Sequence, residues 1–225
     1  MEAAEMLMAG LDDAGRGAAI GPLAVAGVLI DEERYPKLLE LRVKDSKLLT
    51  PEKRRELEVK IKKITLKHQV LLIAPAKVDY FVSRKPETGG LNRLEAYAMA
   101  EIIDLLRPDV AYVDASDIST ERFKRYIAEK VGSKVRLVVE HKADSKYPIV
   151  SAASILAKVA RDAAIEDLKR KYGDLGSGYM ADPKTVRFLR EYLIRKGGFP
   201  DFVRTSWKPI KRMLEASRNS TLDRF

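Results

Sequence analysis

Residues 8–30 read Met8-Ala9-Gly10-Leu11-Asp12-Asp13-Ala14-Gly15-Arg16-Gly17-Ala18-Ala19-Ile20-Gly21-Pro22-Leu23-Ala24-Val25-Ala26-Gly27-Val28-Leu29-Ile30. A short apolar segment, Met8 to Leu11, runs into two carboxylates. Gly15-Arg16-Gly17 then supplies a turn, and Leu23 to Ile30 is almost wholly apolar. Eight residues of that kind fit a strand buried on both faces or a buried helical segment, and Gly27 with the β-branched side chains favours the strand. The stretch therefore predicts a hairpin-like start with two acids just before its turn.

Outward from it the chain alternates. Thr50 and Pro51 open a charged helix that runs to about Lys63, with Thr50 as its cap. Leu66 to Ala74 reads as a strand. Leu91 to Leu106 reads as a helix stopped by Pro108, and Val110 to Val113 as a strand ending on Asp114. Thr120 to Val131 reads as a helix closed by Gly132, and Val135 to Val139 as a strand leading into Glu140-His141-Lys142-Ala143-Asp144. A long helix spans Pro148 to Tyr172, and two basic helices follow at about 183–196 and 206–217. Strands interleaved with helices predict an α/β domain with a helical C-terminal extension.

The 225 residues are 46% hydrophobic and 33% charged, which suffices for one large core under a charged surface and excludes general disorder. Forty-two Lys and Arg against 33 Asp and Glu give a net charge of +9, which favours a polyanionic partner. Cysteine is absent, excluding disulfides, thiolate nucleophiles and zinc–cysteine sites. The acidic first ten residues do not resemble a secretory leader, and no apolar run approaches a membrane span, so the expected location is cytoplasmic. Asn92, Asn219 and Gln69 are the only side-chain amides; with abundant charge, that leans towards a thermophilic source.

Asp12 and Asp13 follow the first strand, Asp114 ends a later one, and Asp144 lies beyond the last. Ligands of open α/β sheets gather at the carboxyl ends of strands, so parallel neighbours would bring these four acids together. Four carboxylates stay ionised together only around cations, and all-oxygen ligands suit Mg²⁺ or Mn²⁺. The competing reading is that these acids are ordinary turn or cap residues. Gly15, Arg16 and Gly17 let backbone N–H groups approach a ligand, or form a plain tight turn. His68 and His141 read as structural. Lys47 and Lys142 are candidate phosphate contacts or solvated charge. Tyr179, in Gly176-Ser177-Gly178-Tyr179, suits stacking on a base or sugar, or is a half-buried loop tyrosine. No GxSxG elbow and no GxxxxGK[ST] loop is present.

Asp12-Asp13-Ala14-Gly15-Arg16-Gly17, followed by Gly21-Pro22-Leu23, resembles the DEAGRG…GPL opening of the type 2 ribonucleases H. Val43-Lys44-Asp45-Ser46-Lys47, Leu91-Asn92-Arg93-Leu94-Glu95, Ala111-Tyr112-Val113-Asp114, Glu140 to Asp144, Ser151 to Asp162 and Gly176 to Tyr179 continue the likeness in order, over about residues 6–215 and most closely to archaeal members. The resemblance implies an RNase H-like fold, with a central mixed sheet flanked by helices. It implies cleavage of RNA in RNA/DNA hybrids and incision 5′ of single ribonucleotides in duplex DNA, leaving 3′-hydroxyl and 5′-phosphate ends. It places Asp12, Asp13, Asp114 and Asp144 as catalytic ligands of two Mg²⁺ or Mn²⁺ ions. It also makes Gly15, Arg16 and Gly17 the loop that reads the ribose 2′-hydroxyl, and Tyr179 the ring that stacks on the neighbouring deoxyribose. The second acidic place is usually Glu. Asp13 is one methylene shorter, so altered metal geometry and a stronger preference for Mn²⁺ are expected.

The tail, Asn219-Ser220-Thr221-Leu222-Asp223-Arg224-Phe225, resembles a sliding-clamp (PCNA) interaction motif with Leu222 and Phe225 as anchors, although Asn stands in the Gln place and only one terminal aromatic is present. The expected organisation is a catalytic domain over 1–200, a basic helical extension over 201–217 packed on it, and a flexible tail over 218–225, in a monomer. The other readings are a different nuclease of the same superfamily and a non-catalytic RNA/DNA-binding module.

Overall fold

The opening apolar stretch forms a hairpin at the middle of a sheet. Strand β1 (Met8–Ala14) pairs antiparallel with β2 (Leu23–Ile30), from Met8 opposite Ile30 to Ala14 opposite Ala24. Every β2 residue is buried, as its unbroken apolar sequence requires. Strands β3 (Lys67–Ile73), β4 (Val110–Asp114) and β5 (Arg136–Glu140) complete a five-stranded sheet in the order β3-β2-β1-β4-β5. β1, β4 and β5 are parallel neighbours. The computed structural model describes residues 5–43, 49–84 and 86–222, with backbone alone for Pro86 and for 218–222.

The helices are α1 (Tyr35–Glu40), α2 (Pro51–Ile64), α3 (Pro75–Val82), α4 (Gly90–Leu106), α5 (Thr120–Ala128), α6 (Ala143–Lys146), α7 (Pro148–Tyr172), α8 (Pro183–Lys196) and α9 (Lys208–Leu222). Local signals set many of their ends. The Thr50 hydroxyl accepts from Lys53 N–H at 3.2 Å ahead of Pro51, and Ser119 caps α5 in the same way. Asp182 caps α8, which Gly197 closes.

Contacts group the chain into two units that interleave along the sequence. The first takes in the chain up to Ala14, Ala24–Leu72 and Leu91–Ala160. In it, Ile149, Val150, Ala153, Ile155 and Leu156 of α7 share a core with Met8 and Ala14 of β1 and Ala26 and Val28 of β2. Gly10 makes that approach possible, because a Cβ there would collide with the backbone of Ile149 and Val150. On the other side of the hairpin, the Cβ position of Gly27 lies against Ile102 of α4. The second unit comprises Gly15–Leu23, Ile73–Gly90 and the chain from Arg161 onward. Its core gathers Ala19, Ile20, Ile165, Leu175, Phe188, Leu189, Phe202, Val203 and Ile210.

Several elements differ from the sequence expectation. Helices α1, α3 and α6 were not expected: four to eight residues carry too little periodicity, and in α1 and α3 a proline, Pro36 or Pro75, stands in the first turn. β1 runs through Asp12 and Asp13 instead of stopping before them. α5 ends at Ala128, not Val131, and α9 begins at Lys208 and extends to Leu222. Among the described residues no helix is long and apolar enough to cross a membrane.

Candidate active site

The carboxyl ends of β1 and β4 carry the acids. Successive strand residues face opposite sides of a sheet, so Asp12 and Asp13 diverge. Asp12 is 6% exposed, and its Oδ1 accepts from the Asp13 N–H at 2.7 Å. Burial pushes its carboxyl well above the ordinary carboxylate range, and the negative charges of Asp13 and then Asp114 push it further. Hydrogen bonds from the Ser154 side chain and the Asp13 backbone oppose that rise. Asp13 accepts from Ser116 Oγ at 2.8 Å, and Asp114 Oδ1 accepts from Ala143 N–H at 2.7 Å. Asp144, 6% exposed, stands next to Ala143 in the first turn of α6. Asp13 and Asp114 thus each lie within electrostatic reach of Asp12, and α6 ties the segment bearing Asp144 to Asp114.

Backbone geometry supports this placement. Lys142 takes left-handed angles (φ 55°, ψ 37°) at the start of α6, a cost of about 1 kcal/mol for a residue with a Cβ. That turn aims the Ala143 N–H at Asp114. The loop after β4 is held by Asp117, whose carboxylate takes Arg122 Nε at 2.8 Å and Nη2 at 2.5 Å. Those charge-assisted bonds lower the Asp117 carboxyl to about 2, with the Ser119 N–H and Asn92 also donating. His141 Nε2 lies 3.2 Å from the Ile118 carbonyl, a structural contact.

The Gly-Arg-Gly segment belongs to the second unit. Gly15 has φ +84°, and a Cβ there would stand 3.0 Å from the Pro22 carbonyl, so glycine is required. Ala18 N–H closes a turn onto Gly15 O at 3.2 Å. A Cβ on Gly17 would meet nothing within 4 Å, which leaves that backbone open. Tyr179 follows Gly178 (φ +84°), and the Arg161 guanidinium lies 4.6 Å from the centre of its ring. Arg161 also donates to the Ser177 carbonyl. The Gly178 carbonyl accepts from Ala19 and Ile20 N–H at 2.8 and 3.1 Å, joining the Tyr179 loop to the segment after Gly17.

A buried acid with its charge opposed by neighbouring acids thus stands at the carboxyl ends of parallel strands. The family model "Ribonuclease HII" matches residues 9–210. The chain belongs to the ribonuclease HII family. Similar solved structures include the ribonuclease H2 from Pyrococcus horikoshii OT3, 42% identical, covering 95% of this chain and 99% of that one at a TM-score of 0.87. Another is the PCNA:RNase HII complex from Archaeoglobus fulgidus, 45% identical over 90% of this chain and 96% of that one, with a TM-score of 0.81. Bst-RNase HIII in complex with Mn²⁺, at 21% identity, covers 95% of this chain and 71% of that one and shares the fold at a TM-score of 0.78. The enzyme is therefore a type 2 ribonuclease H with the α/β RNase H-like fold.

The donor set fits a hard divalent cation: these four acids would offer only carboxylate oxygens, and a cation beside Asp12 would offset the burial and the repulsion that raise its carboxyl. Among the described residues no three His, Cys, Asp or Glu side chains already form an ion-holding group. Lys142 is exposed, whereas Lys47 and Phe225 lie outside the described residues, as does the Leu222 side chain. Sequence reading missed Ser116 and Ser154 as partners of the acids and Asp117 as the anchor of the loop after β4, all in the first unit, and, in the second, Arg161 beside Tyr179 and Arg204 and Trp207 behind the Gly-Arg-Gly turn. Ser154 and Arg161 stand inside the quoted 151–162 motif. Arg204 carried no signal beyond its charge.

Proposed function

We propose that this ribonuclease hydrolyses the RNA strand of RNA/DNA hybrids and incises 5′ of single ribonucleotides in duplex DNA, leaving 3′-hydroxyl and 5′-phosphate ends. The observation that carries the proposal is the Asp12 carboxyl, buried at the end of β1 and destabilised as an anion by Asp13 and Asp114. Asp12, Asp13, Asp114 and Asp144 would hold two Mg²⁺ or Mn²⁺ ions, whose chemistry when bound is to acidify a water and neutralise charge on the phosphodiester oxygens. Ser116 orients Asp13, Ser154 bonds Asp12, and the Ala143 N–H fixes Asp114. The Gly15-Arg16-Gly17 backbone reads the ribose 2′-hydroxyl, the group that distinguishes RNA from DNA. Tyr179, braced by Arg161, stacks on the adjoining deoxyribose. Lys47 and Lys142 contact phosphates.

A duplex carrying one ribonucleotide, incubated with Mg²⁺, Mn²⁺ or EDTA, tests the reading. One nick 5′ of the ribonucleotide is expected with either metal, and none with EDTA or in an all-deoxy duplex. Equal cutting of the all-deoxy duplex, or cutting in EDTA, would contradict it. The tail supports a second element of the proposal: Leu222 and Phe225 anchor a PCNA-type clamp in the cytoplasm. Deleting 218–225 should abolish capture by a purified archaeal clamp without changing cleavage. Undiminished capture would remove the anchor.

A further inference from the structure

The turn of residues 15–21 is wrapped around one fully buried side chain, Arg204. Its Nη1 donates to the Arg16 carbonyl at 2.8 Å and its Nε to the Gly21 carbonyl at 3.2 Å, while its backbone N–H donates to the Ala19 carbonyl at 2.8 Å. Trp207, three residues on, gives its indole N–H to the Gly17 carbonyl at 3.3 Å, and the Arg204 guanidinium lies 5.1 Å from its ring centre. Four carbonyls of one short segment are thus held by two residues. We infer that Arg204, assisted by Trp207, is a specificity-determining positioning residue that sets the peptide planes of the Gly-Arg-Gly loop for recognition of a ribose hydroxyl.

The reason is peptide geometry. In a trans peptide the C=O and the following N–H point in opposite directions. Drawing the Arg16 carbonyl towards Arg204 therefore turns the Gly17 N–H away from it, where no hydrogen bond to it forms within the described residues and a Cβ would find open space. Drawing the Gly17 carbonyl towards Trp207 turns the Ala18 N–H the opposite way, and it closes the turn onto Gly15. A guanidinium suits this task because its donors form a rigid planar fork that can grip two carbonyls at a fixed separation, which a lysine ammonium cannot do. This inference rests on the proposed ribose-reading role of the loop.

The test compares affinity for a duplex with one ribonucleotide against the all-deoxy duplex of the same sequence, in EDTA so that no cleavage intervenes. Arg204→Lys keeps the charge and loses the fork. Trp207→Phe keeps an aromatic ring at a half-buried position and removes the indole N–H together with the fused five-membered ring. Circular dichroism and melting curves establish that each variant is folded. Arg204→Lys should reduce the ribo-over-deoxy preference about tenfold, the scale of one misaimed hydrogen bond. Trp207→Phe should reduce it less, and both should leave all-deoxy affinity unchanged. If Arg204→Lys fails to fold, Trp207→Phe decides alone. A wild-type preference in the folded variants overturns the inference by itself. A wild-type enzyme without any preference overturns the ribose-reading role of the loop and the inference with it.

Discussion

Asp12 is the residue at which stability and chemistry oppose each other. Its carboxyl is raised by burial and by Asp13 and Asp114, so the folded chain binds that proton more tightly than the unfolded chain does. The resulting contribution to stability is complete below the ordinary carboxylate value and is lost as pH rises through the raised one. Above that raised value, without metal, the ionised Asp12 therefore weakens the fold. Asp12→Asn should abolish cleavage yet raise metal-free stability by roughly 1 kcal/mol, as for other strained functional sites. Its melting temperature should also fall less steeply with pH than that of the wild type. Thermal melts across pH read this directly, and a variant that melts lower at neutral pH would refute it. Asp13 poses a different question, one of reach. Its Oδ1 accepts from Ser116 at 2.8 Å, and Asp13→Glu adds the methylene usual at this place in the family. The variant should cleave faster and shift its optimum from Mn²⁺ towards Mg²⁺. Identical rates and metal optima would show that reach is not limiting.

At the scale of elements, β1 is central because its neighbours are set by one small residue. Gly10 admits the backbone of α7 at Ile149, and from α7 Ser154 reaches Asp12. Gly10→Ala should cost about 1–3 kcal/mol by overpacking and lower activity through Asp12. Gly17→Ala, whose Cβ meets nothing within 4 Å, should leave stability intact while weakening ribonucleotide cleavage. Chemical denaturation of the two variants, paired with nicking rates, separates packing from recognition; equal stability losses would undo the distinction. The strands and long helices were legible because their signals are local: the unbroken apolar run of β2, the Thr50-Pro51 cap, and the Gly197 stop. The acids at the ends of β1 and β4 were legible because strand ends concentrate ligands. What escaped was set by distant partners. Arg204 meets Arg16 and Gly21 across more than 180 residues, and nothing local marks it apart from the other basic residues near the C-terminus. α6 is a single turn imposed by a left-handed Lys142, a conformation for which lysine has no preference.

For the molecule as a whole, charge and recognition are distributed differently along the chain. Of a net +9, residues 187–225 carry ten Lys and Arg against four Asp and Glu. Lys208, Lys211 and Arg212 of α9 are exposed, whereas the groups assigned to ribose recognition are backbone N–H groups and an uncharged tyrosine. Phosphate contacts release condensed counterions and hydrogen bonds to a sugar do not, so the two contributions respond differently to salt. Affinity for ribonucleotide-containing and all-deoxy duplexes should therefore fall with salt along parallel lines, leaving their ratio unchanged. Replacing Lys208, Lys211 and Arg212 with Gln should flatten both lines by about 0.9 in log–log slope for each phosphate contact removed. The ratio should stay at its wild-type value, because none of the three touches the Gly15–Gly17 turn in the way Arg204 and Trp207 do. Fluorescence anisotropy titrations in EDTA over a range of salt concentrations measure slope and ratio together. A triple variant whose ratio collapses while its slope holds would mean that these charges read the sugar instead of supplying general affinity.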